Sequence, residues 1–134
     1  LSIISIDIDH FKNINDLYGH PAGDKIIIGM AELCQIHIRS IDTFARLGGE
    51  EFVILLPECD QQTGVKIADR LRAFVEQHDF KLKNEAGDRK NVTISLGVAS
   101  SMTEDKNISD VLKRSDESLY LAKDKGRNQV QTLK

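Results

Sequence analysis

The chain has 134 residues, of which 40% are hydrophobic and 29% are charged, the composition of one ordinary globular domain with a sizeable core. Its net charge of −3 argues against a general nucleic-acid binder, because such a protein carries a basic face, so we expect no nucleic acid among its partners. No stretch reaches the roughly 18 uninterrupted apolar residues of a membrane-spanning helix, and no signal peptide is evident.

The cysteines and the first residue indicate the context of the domain. Cys34 and Cys59 lack the spacing of metal ligands, which favours reduced packing residues of a cytosolic protein. The chain opens at Leu1 inside a predicted strand, without an initiator Met, so we expect a piece of a longer protein. We expect the domain to lie in the cytoplasm, whether or not the parent protein is anchored in a membrane.

The first predicted element is a strand over residues 1–9. Alternation places three isoleucines on one face and three polar residues on the other: Ile4, Ile6 and Ile8 against Ser5, Asp7 and Asp9. Asp7 and Asp9 then project from one side at the end of the strand, where open sheets usually bind ligands. We favour a metal role for Asp7 and an N-cap role for Asp9 at the following helix.

Two helices follow the first strand. The pattern predicts a short helix over residues 10–15, a loop over 17–23 and a longer helix from Asp24 to about Arg39, with a core-facing stripe of Ile27, Met30, Ala31, Cys34 and Ile38. Asp24 is placed to cap the longer helix, and Asn15 to end the shorter one. These structural roles are alternatives to any binding role for the two residues.

The segment Gly48-Gly49-Glu50-Glu51 joins the apolar runs 40–45 and 52–57 and predicts a β-hairpin, because paired glycines allow positive φ angles. The glycines also let the backbone lie against a bulky ligand. The adjacent carboxylates repel each other, and a bound Mg²⁺ would explain them, since it takes one or two carboxylates with substrate phosphates. The alternative is an acidic turn in solvent.

The last part of the chain completes an α+β pattern. We predict a helix over 63–78, strands over 80–83 and 92–99 around a turn at 84–91, a loop over 102–107, a helix over 108–125 and a strand over 129–133. The inward residues of the two helices are Ile67, Leu71, Phe74 and Val75, then Val111, Leu112, Ser115, Leu119 and Ala122. This order predicts a sandwich, with a largely antiparallel sheet and helices on its faces.

Four fragments occur in order along the chain: Asp7-x-Asp9-x-Phe11-Lys12-x-x-Asn15-Asp16, Gly19-His20-x-x-Gly23-Asp24, Arg46-x-Gly48-Gly49-Glu50-Glu51-Phe52 and Tyr120-x-Ala122-Lys123-x-x-Gly126-Arg127-Asn128. Together they closely resemble the GGDEF family of diguanylate cyclases, in its GGEEF variant, over nearly all of residues 1–134. The resemblance implies a palm-like α+β domain related to nucleotidyl cyclases and polymerases. It also implies condensation of two GTP molecules into cyclic di-GMP with release of two pyrophosphates.

The resemblance assigns roles to the candidate active-site residues. Two divalent ions, Mg²⁺ or Mn²⁺, would be held by Asp7, the backbone carbonyl of Ile8, Glu50 and Glu51, and Glu50 would also help to deprotonate the ribose 3′-OH. Asn15 and Asp24 would recognise guanine. The remaining substrate-binding residues implied by the family are Lys12, His20, Gly49, Lys123 and Arg127. The alternative for the last two is that they are cations complementing a helix dipole.

A second site is implied before the hairpin. Arg39-Ser40-Ile41-Asp42 resembles the family's RxxD inhibitory site, which binds intercalated cyclic di-GMP, and Arg70 is the candidate to complete it. Arginine can contact guanine O6 and N7, and a carboxylate can accept the Watson–Crick donors. The alternative is a surface ion pair, worth a few tenths of a kcal/mol.

Assembly and the rival functions follow from the same resemblance. A site that holds one GTP requires a homodimer for catalysis, yet no heptad run persists, so we expect the isolated domain to be mostly monomeric. A sensory or regulatory domain is expected before Leu1. One alternative is a catalytically silent module that binds GTP or cyclic di-GMP as a regulatory input. Another is a different palm-type nucleotidyl transferase, although those enzymes lack the Gly-Gly-Glu-Glu hairpin.

Overall fold

The structure is a computed structural model that describes residues 1–82 and 91–133. The described residues form one sheet of five strands: β1 (Ser2–Ile8), β2 (Thr43–Gly48), β3 (Glu51–Leu56), β4 (Ile94–Ser100) and β5 (Val130–Thr132). Their spatial order is β2-β3-β1-β4-β5, with antiparallel pairing except between β4 and β5. Four helices accompany them: α1 (Phe11–Tyr18), α2 (His20–Ile36), α3 (Gln61–Gln77) and α4 (Ile108–Asp124).

Strand β1 lies at the centre of the sheet and is buried on both faces. Its Ile4, Ile6 and Ile8 join the main core, to which α1, α2 and α3 contribute, whereas Ile3 joins a small cluster with Val111 of α4. Helices therefore cover both faces of a mostly antiparallel sheet, and the predicted α+β sandwich is confirmed. In the described part of the chain, none of the helices has the length and apolar composition needed to cross a bilayer.

Helix α4 lies directly against β4 at Gly97. A Cβ placed on Gly97 would be 2.1 Å from the backbone nitrogen of Leu119 and 2.2 Å from the carbonyl oxygen of Ser115. The hydroxyls of Ser5 and Ser115 hydrogen-bond at 2.7 Å, which ties the same helix to β1. Small side chains thus set the position of α4, whose C-terminal end lies beside the end of β1.

The predicted boundaries of the first two helices are wrong. Helix α1 runs to Tyr18, and α2 already begins at His20, with Gly19 at the N-cap and a φ of +89°. Pro21 lies in the first turn, where its fixed φ suits a helix and its missing N–H leaves no hydrogen bond unmade. Asp24 is therefore an exposed residue inside the helix, and its predicted N-cap role is wrong.

The core-facing stripes are confirmed in part. On α2, Met30 and Cys34 are buried as predicted, but Ile26 is buried where Ile27 was expected. Leu71 and Val75 of α3 are buried, and α4 buries four of its five predicted residues: Val111, Ser115, Leu119 and Ala122. Both cysteines are free and buried, as expected of packing residues, and burial raises the pKa of Cys34 to about 12.

The strand predicted over residues 80–83 is not formed by residues 80–82. Phe80 and Leu82 are buried in the main core, which explains their alternation. Lys81 between them has a φ of +58°, a conformation that breaks an extended run, and its N–H donates to Asp79 at 2.8 Å. The predicted turn around Gly87 and Lys83 itself lie outside the described residues, and β4 begins at Ile94 rather than at residue 92.

Candidate active site

The predicted hairpin is confirmed, and its tip is held open by backbone geometry. Gly48 pairs with Glu51 after a shift in register, and Gly48 and Gly49 have φ angles of +149° and +52°. A Cβ on either glycine would meet nothing within 4 Å. The side chain of Arg46, to which the sequence assigned no role, donates from Nε to the carbonyl of Gly49 at 3.0 Å. The tip thus leaves open space over its backbone.

A cavity of about 170 Å³ brings together three parts of the chain: the end of β1 with the start of α1, the hairpin tip, and the end of α4. Its lining residues are Asp7, Ile8, Asp9, His10, Phe11, Lys12, Glu50, Lys123 and Arg127. Six of these were predicted from the sequence as metal or substrate ligands. The backbone N–H of Ile8 donates to the carbonyl of Glu50 at 3.2 Å, which fixes the hairpin tip beside the end of β1.

Asp7 is the buried acid of this cavity, with only 6% of its side chain exposed. Burial raises its pKa, the salt bridge to Lys123 opposes that rise, and the nearby charges of Glu50 and Glu51 add to it. Lys123 is 34% exposed and therefore keeps contact with solvent. Ionisation of a carboxyl group is unfavourable when the group is buried beside two other acids, and a bound cation would lower that cost.

Glu51 is paired with Asp7 across β3 and β1, so the two carboxylates lie on the same face of the sheet. Glu51 lines a neighbouring cavity of about 270 Å³ that it shares with Tyr120 and Lys123. Within residues 1–82 and 91–133, no three His, Cys, Asp or Glu side chains converge as a ready metal cluster. The expected ligand set does not require one, since Mg²⁺ commonly uses one or two carboxylates and completes its shell with water and phosphate.

Asp9 does not cap α1, so that prediction is wrong. The N-cap is His10, which lies in the left-handed region with a φ of +55° and makes no side-chain capping bond. Asp9 instead accepts hydrogen bonds from Thr93 at 2.7 Å, from Ser95 at 2.6 Å and from the backbone N–H of Asn128 at 3.0 Å. It therefore ties the end of β1 to β4 and to the turn after α4.

The predicted base-binding residues lie on α1 and α2, outside the residues that line the 170 Å³ cavity. The Oδ1 atom of Asn15 is buried and has no hydrogen-bond partner in the described part of the chain. A Cβ on Gly23 would be 2.0 Å from that oxygen and 3.1 Å from the ring of Phe11, so only glycine leaves room for Asn15. The sequence reasoning gave Gly23 no structural role, and its only signal was its place in the fragment Gly19-His20-x-x-Gly23-Asp24. Asp24 follows it, and Asp24 and His20 are both exposed.

The candidate inhibitory residues lie at the opposite end of the hairpin. Asp42 directly precedes β2, whose first residue, Thr43, pairs with Leu55, whereas the tip lies beyond Gly48. The guanidinium of Arg39 donates to Asp42 at 2.7 Å and to the carbonyl of Pro57 at 2.8 Å. The two side chains are 44% and 1% exposed, respectively.

Arg70 reaches the same flank from α3. Its Nη2 atom donates to the carbonyl of His37 at 3.3 Å, two residues before Arg39. The ring of His37 stacks on that of Phe74 with centroids 3.9 Å apart, which holds this segment against α3. The structure thus groups the three candidate residues on one flank, away from the candidate metal ligands.

Comparison with known proteins identifies the fold and its motifs. Residues 1–129 match the family model described as diguanylate cyclase, GGDEF domain. Over 130 residues the chain is 42% identical to diguanylate cyclase A of Treponema denticola and 40% identical to the response regulator PleD of Caulobacter vibrioides. Both alignments cover 97% of this chain but only 34% and 28% of those proteins, so the chain spans about a third of their length.

Solved structures agree with this assignment. The active GGEEF domain of a diguanylate cyclase from Vibrio cholerae superposes with a TM-score of 0.88 at 38% identity, covering 97% of this chain and 80% of that one. The GGDEF domain of DgcB from Caulobacter crescentus, in complex with c-di-GMP, gives a TM-score of 0.88 at 30% identity, with coverages of 97% and 75%. The chain therefore belongs to the GGDEF family of diguanylate cyclase domains.

Proposed function

We propose that this domain is an active diguanylate cyclase, which joins two GTP molecules into cyclic di-GMP and releases two pyrophosphates. The observation that carries the proposal is the cavity in which buried Asp7 and the hairpin acid Glu50 face cationic side chains. A ribose 3′-OH must attack an α-phosphate, so the reaction needs a proton acceptor and charges that stabilise the phosphate oxygens. Acidic and basic groups around one cavity meet both needs.

The acidic side of the cavity suits divalent cations. Asp7, the carbonyl of Ile8, Glu50 and Glu51 form an all-oxygen donor set of the kind that Mg²⁺ or Mn²⁺ prefers. Burial and the neighbouring glutamates raise the pKa of Asp7, so a cation there relieves its ionisation. Two such ions, when bound, lower the pKa of the attacking hydroxyl and neutralise charge on the phosphates. We assign Glu50 as the acceptor of the 3′-OH proton.

Three cationic side chains bind the triphosphate in this proposal. Lys12 comes from α1, Lys123 from α4 and Arg127 from the turn after α4, and all three line the cavity. Cations at the end of a helix also complement its dipole. Convergence with Lys12, from a separate helix, favours binding of an anionic ligand. Lys123 is paired with Asp7, and a cation at Asp7 would leave Lys123 to a phosphate.

Asn15 and Asp24 select guanine, and His20 and Gly49 complete the nucleotide site. The buried, unpaired Oδ1 atom of Asn15 suits a donor supplied by the ligand, because an unsatisfied buried acceptor costs free energy. A carboxylate at Asp24 only accepts hydrogen bonds, so it matches the N1–H and amino groups of guanine. It would face a lone pair on N1 of adenine. GTP is therefore the expected nucleotide.

Catalysis in this proposal requires a homodimer, because one site holds one GTP and the product is symmetric. We propose that this domain lies in the cytoplasm and that an N-terminal sensory or regulatory domain of a longer parent protein controls its dimerisation, an idea that the greater length of the curated relatives supports. Specific activity of the isolated domain should rise with protein concentration, and a leucine zipper fused before Leu1 should raise it further. A monomer with constant specific activity over a wide concentration range would contradict this.

Feedback inhibition by cyclic di-GMP is proposed at Arg39, Asp42 and Arg70. Asp42 and the carbonyl of Pro57 hold the guanidinium of Arg39 in place while 44% of its side chain stays exposed, so it can present N–H groups to guanine O6 and N7. Both carboxylate oxygens of Asp42 contact Arg39. Asp42 therefore orients Arg39. Its carboxylate can accept hydrogen bonds from the Watson–Crick donors of guanine only after the bound ligand has separated Asp42 from Arg39.

Incubation with GTP and Mg²⁺ followed by chromatography tests the proposed activity. The wild type should form cyclic di-GMP and pyrophosphate, whereas Asp7→Asn and Glu50→Gln should form neither while remaining folded. Glu104→Gln changes an exposed acid in the loop before α4 and should keep wild-type turnover. If the wild type binds GTP or cyclic di-GMP without turnover, the chain is a catalytically silent module. Formation of a different product would indicate another nucleotidyl transferase. Near-normal turnover in Asp7→Asn or Glu50→Gln would show that the substituted residue is not part of the active site.

A further inference from the structure

The turn after α4 has an unusual backbone. Gly126, Arg127 and Asn128 have φ angles of +121°, +63° and +46°, so two residues with side chains follow glycine in the left-handed region. Residues with a Cβ rarely adopt this conformation, although Asn tolerates it better than most. The surrounding contacts must therefore determine this turn, and Arg127 within it lines the active-site cavity.

Asn128 is fixed by three hydrogen bonds from two separate parts of the fold. Its backbone N–H donates to the Oδ2 atom of Asp9 at 3.0 Å. Its side-chain Oδ1 accepts from the Nη1 atom of Arg72 at 3.1 Å, and its Nδ2 donates to Glu76. Arg72 is itself 19% exposed and paired with Asp69 at 2.9 Å, so the contact from α3 comes from an anchored side chain.

We propose that Asn128 is a positioning residue for the nucleotide: held by Arg72 and Glu76 of α3 and by Asp9 at the end of β1, it fixes the turn that places Arg127 in the active-site cavity. The inference rests on the proposed function, since it takes the ligand of Arg127 to be the triphosphate of GTP. Asn128 does not touch the ligand and acts through Arg127.

The simpler alternative is that Asn128 is present only because asparagine tolerates a positive φ. Glycine tolerates it at least as well and carries no side chain. Asn128→Gly therefore keeps the backbone conformation accessible and removes the contacts to Arg72 and Glu76. If those contacts position Arg127, Asn128→Gly and Asn128→Ala should both weaken nucleotide binding.

Calorimetry with a non-hydrolysable GTP analogue and Mg²⁺ tests the role in a double-mutant cycle. Asn128→Ala should weaken binding about tenfold, because a small displacement of a positioned group is enough to lose its contact. The same substitution in an Arg127→Ala background should change nothing further, since a residue that acts through Arg127 has nothing left to position. Asn107→Ala, an exposed asparagine at the other end of α4, is the matched control and should bind like the wild type.

Each outcome decides the matter. Additive losses in the cycle, or wild-type affinity in Asn128→Gly, would overturn the positioning role while leaving the proposed function intact. A wild type that does not bind the analogue would overturn the proposed function and the positioning role with it. Thermal melts identify unfolded variants, and if Asn128→Ala does not fold, Arg72→Gln takes its place in the same cycle with the same expectations.

Discussion

Replacement of Gly97 by alanine tests how closely α4 lies on the sheet. The new Cβ would be 2.1 Å from the backbone nitrogen of Leu119, and ordinary contact begins near 3.4 Å, so the helix must retreat by about 1.3 Å. No rotamer change can relieve the clash, because both facing atoms belong to the backbone of α4. Overpacking typically costs about 1–3 kcal/mol, and we expect about 3 kcal/mol here from a total stability of roughly 5–15 kcal/mol.

The same displacement should reduce catalysis, because α4 carries Lys123 and leads into Arg127. Urea denaturation measures the free energy of unfolding, and GTP turnover per folded molecule measures the activity. Gly29→Ala is the matched control, since its Cβ would meet only the edge of the Phe80 ring at 2.9 Å. Phe80 is buried, so its ring must shift by about 0.5 Å to reach ordinary contact, but no backbone has to move. Alanine is favoured over glycine in a helix by about 1 kcal/mol, so Gly29→Ala should be destabilised less than Gly97→Ala.

Ordinary surface substitutions change the free energy of unfolding by no more than about 0.5 kcal/mol, and a change that small in Gly97→Ala would contradict the expected clash. Helix α4 would then not lie against β4 as described. A stable variant with normal turnover would in addition show that the close packing of α4 on the sheet is not needed for the geometry of the cavity.

Three further substitutions address the two sites. Burial raises the folded-state pKa of Asp7 above its ordinary value of 3.8, so its protonated form favours folding, and this contribution is lost as pH rises through the folded pKa. In metal-free buffer, Asp7→Asn should therefore raise the melting temperature at pH 7 more than at pH 3, and equal shifts would argue against a raised pKa. Asp24→Ser should reduce the preference for GTP over ATP in a competition assay, because a hydroxyl both donates and accepts. An unchanged preference would leave Asp24 without a role in base choice. Arg39→Ala should weaken cyclic di-GMP binding roughly tenfold or more in calorimetry while early GTP turnover stays the same. Equal affinity in the two proteins would make Arg39 and Asp42 an ordinary surface ion pair.

The elements around the candidate site that the sequence predicts correctly depend on local patterns. Alternation in β1 and the paired glycines of the hairpin each specify their element within a few residues, so the amino-acid pattern alone places Asp7 and Glu50. The predicted start of α2 is wrong because Pro21 and Gly23 are residue types that are also common in loops. Proline in the first turn favours a helix, and Gly23 is needed inside that helix to make room for Asn15.

The contacts that the sequence could not predict join residues that are far apart along the chain. Asp9 was expected to cap the next helix, yet its partners Thr93, Ser95 and Asn128 lie 84, 86 and 119 residues away. Gly97 likewise looks like an ordinary strand residue until α4 is placed against it. Neither periodicity nor capping preference carries information about such pairings, because both describe neighbours in sequence.

The hairpin explains how the two proposed sites can be separate and still belong to one regulated enzyme. The candidate inhibitory residues precede β2, and the tip with Glu50 follows it, so six residues of extended strand, about 20 Å, lie between them. A product molecule bound at Arg39 is therefore too far away to displace GTP from the cavity by contact. It can inhibit by holding two domains in an orientation in which their cavities do not face each other, and such coupling is typically worth about 1–3 kcal/mol. Inhibition by that route lowers the maximal rate and is not relieved by more GTP, whereas competition in the cavity would be.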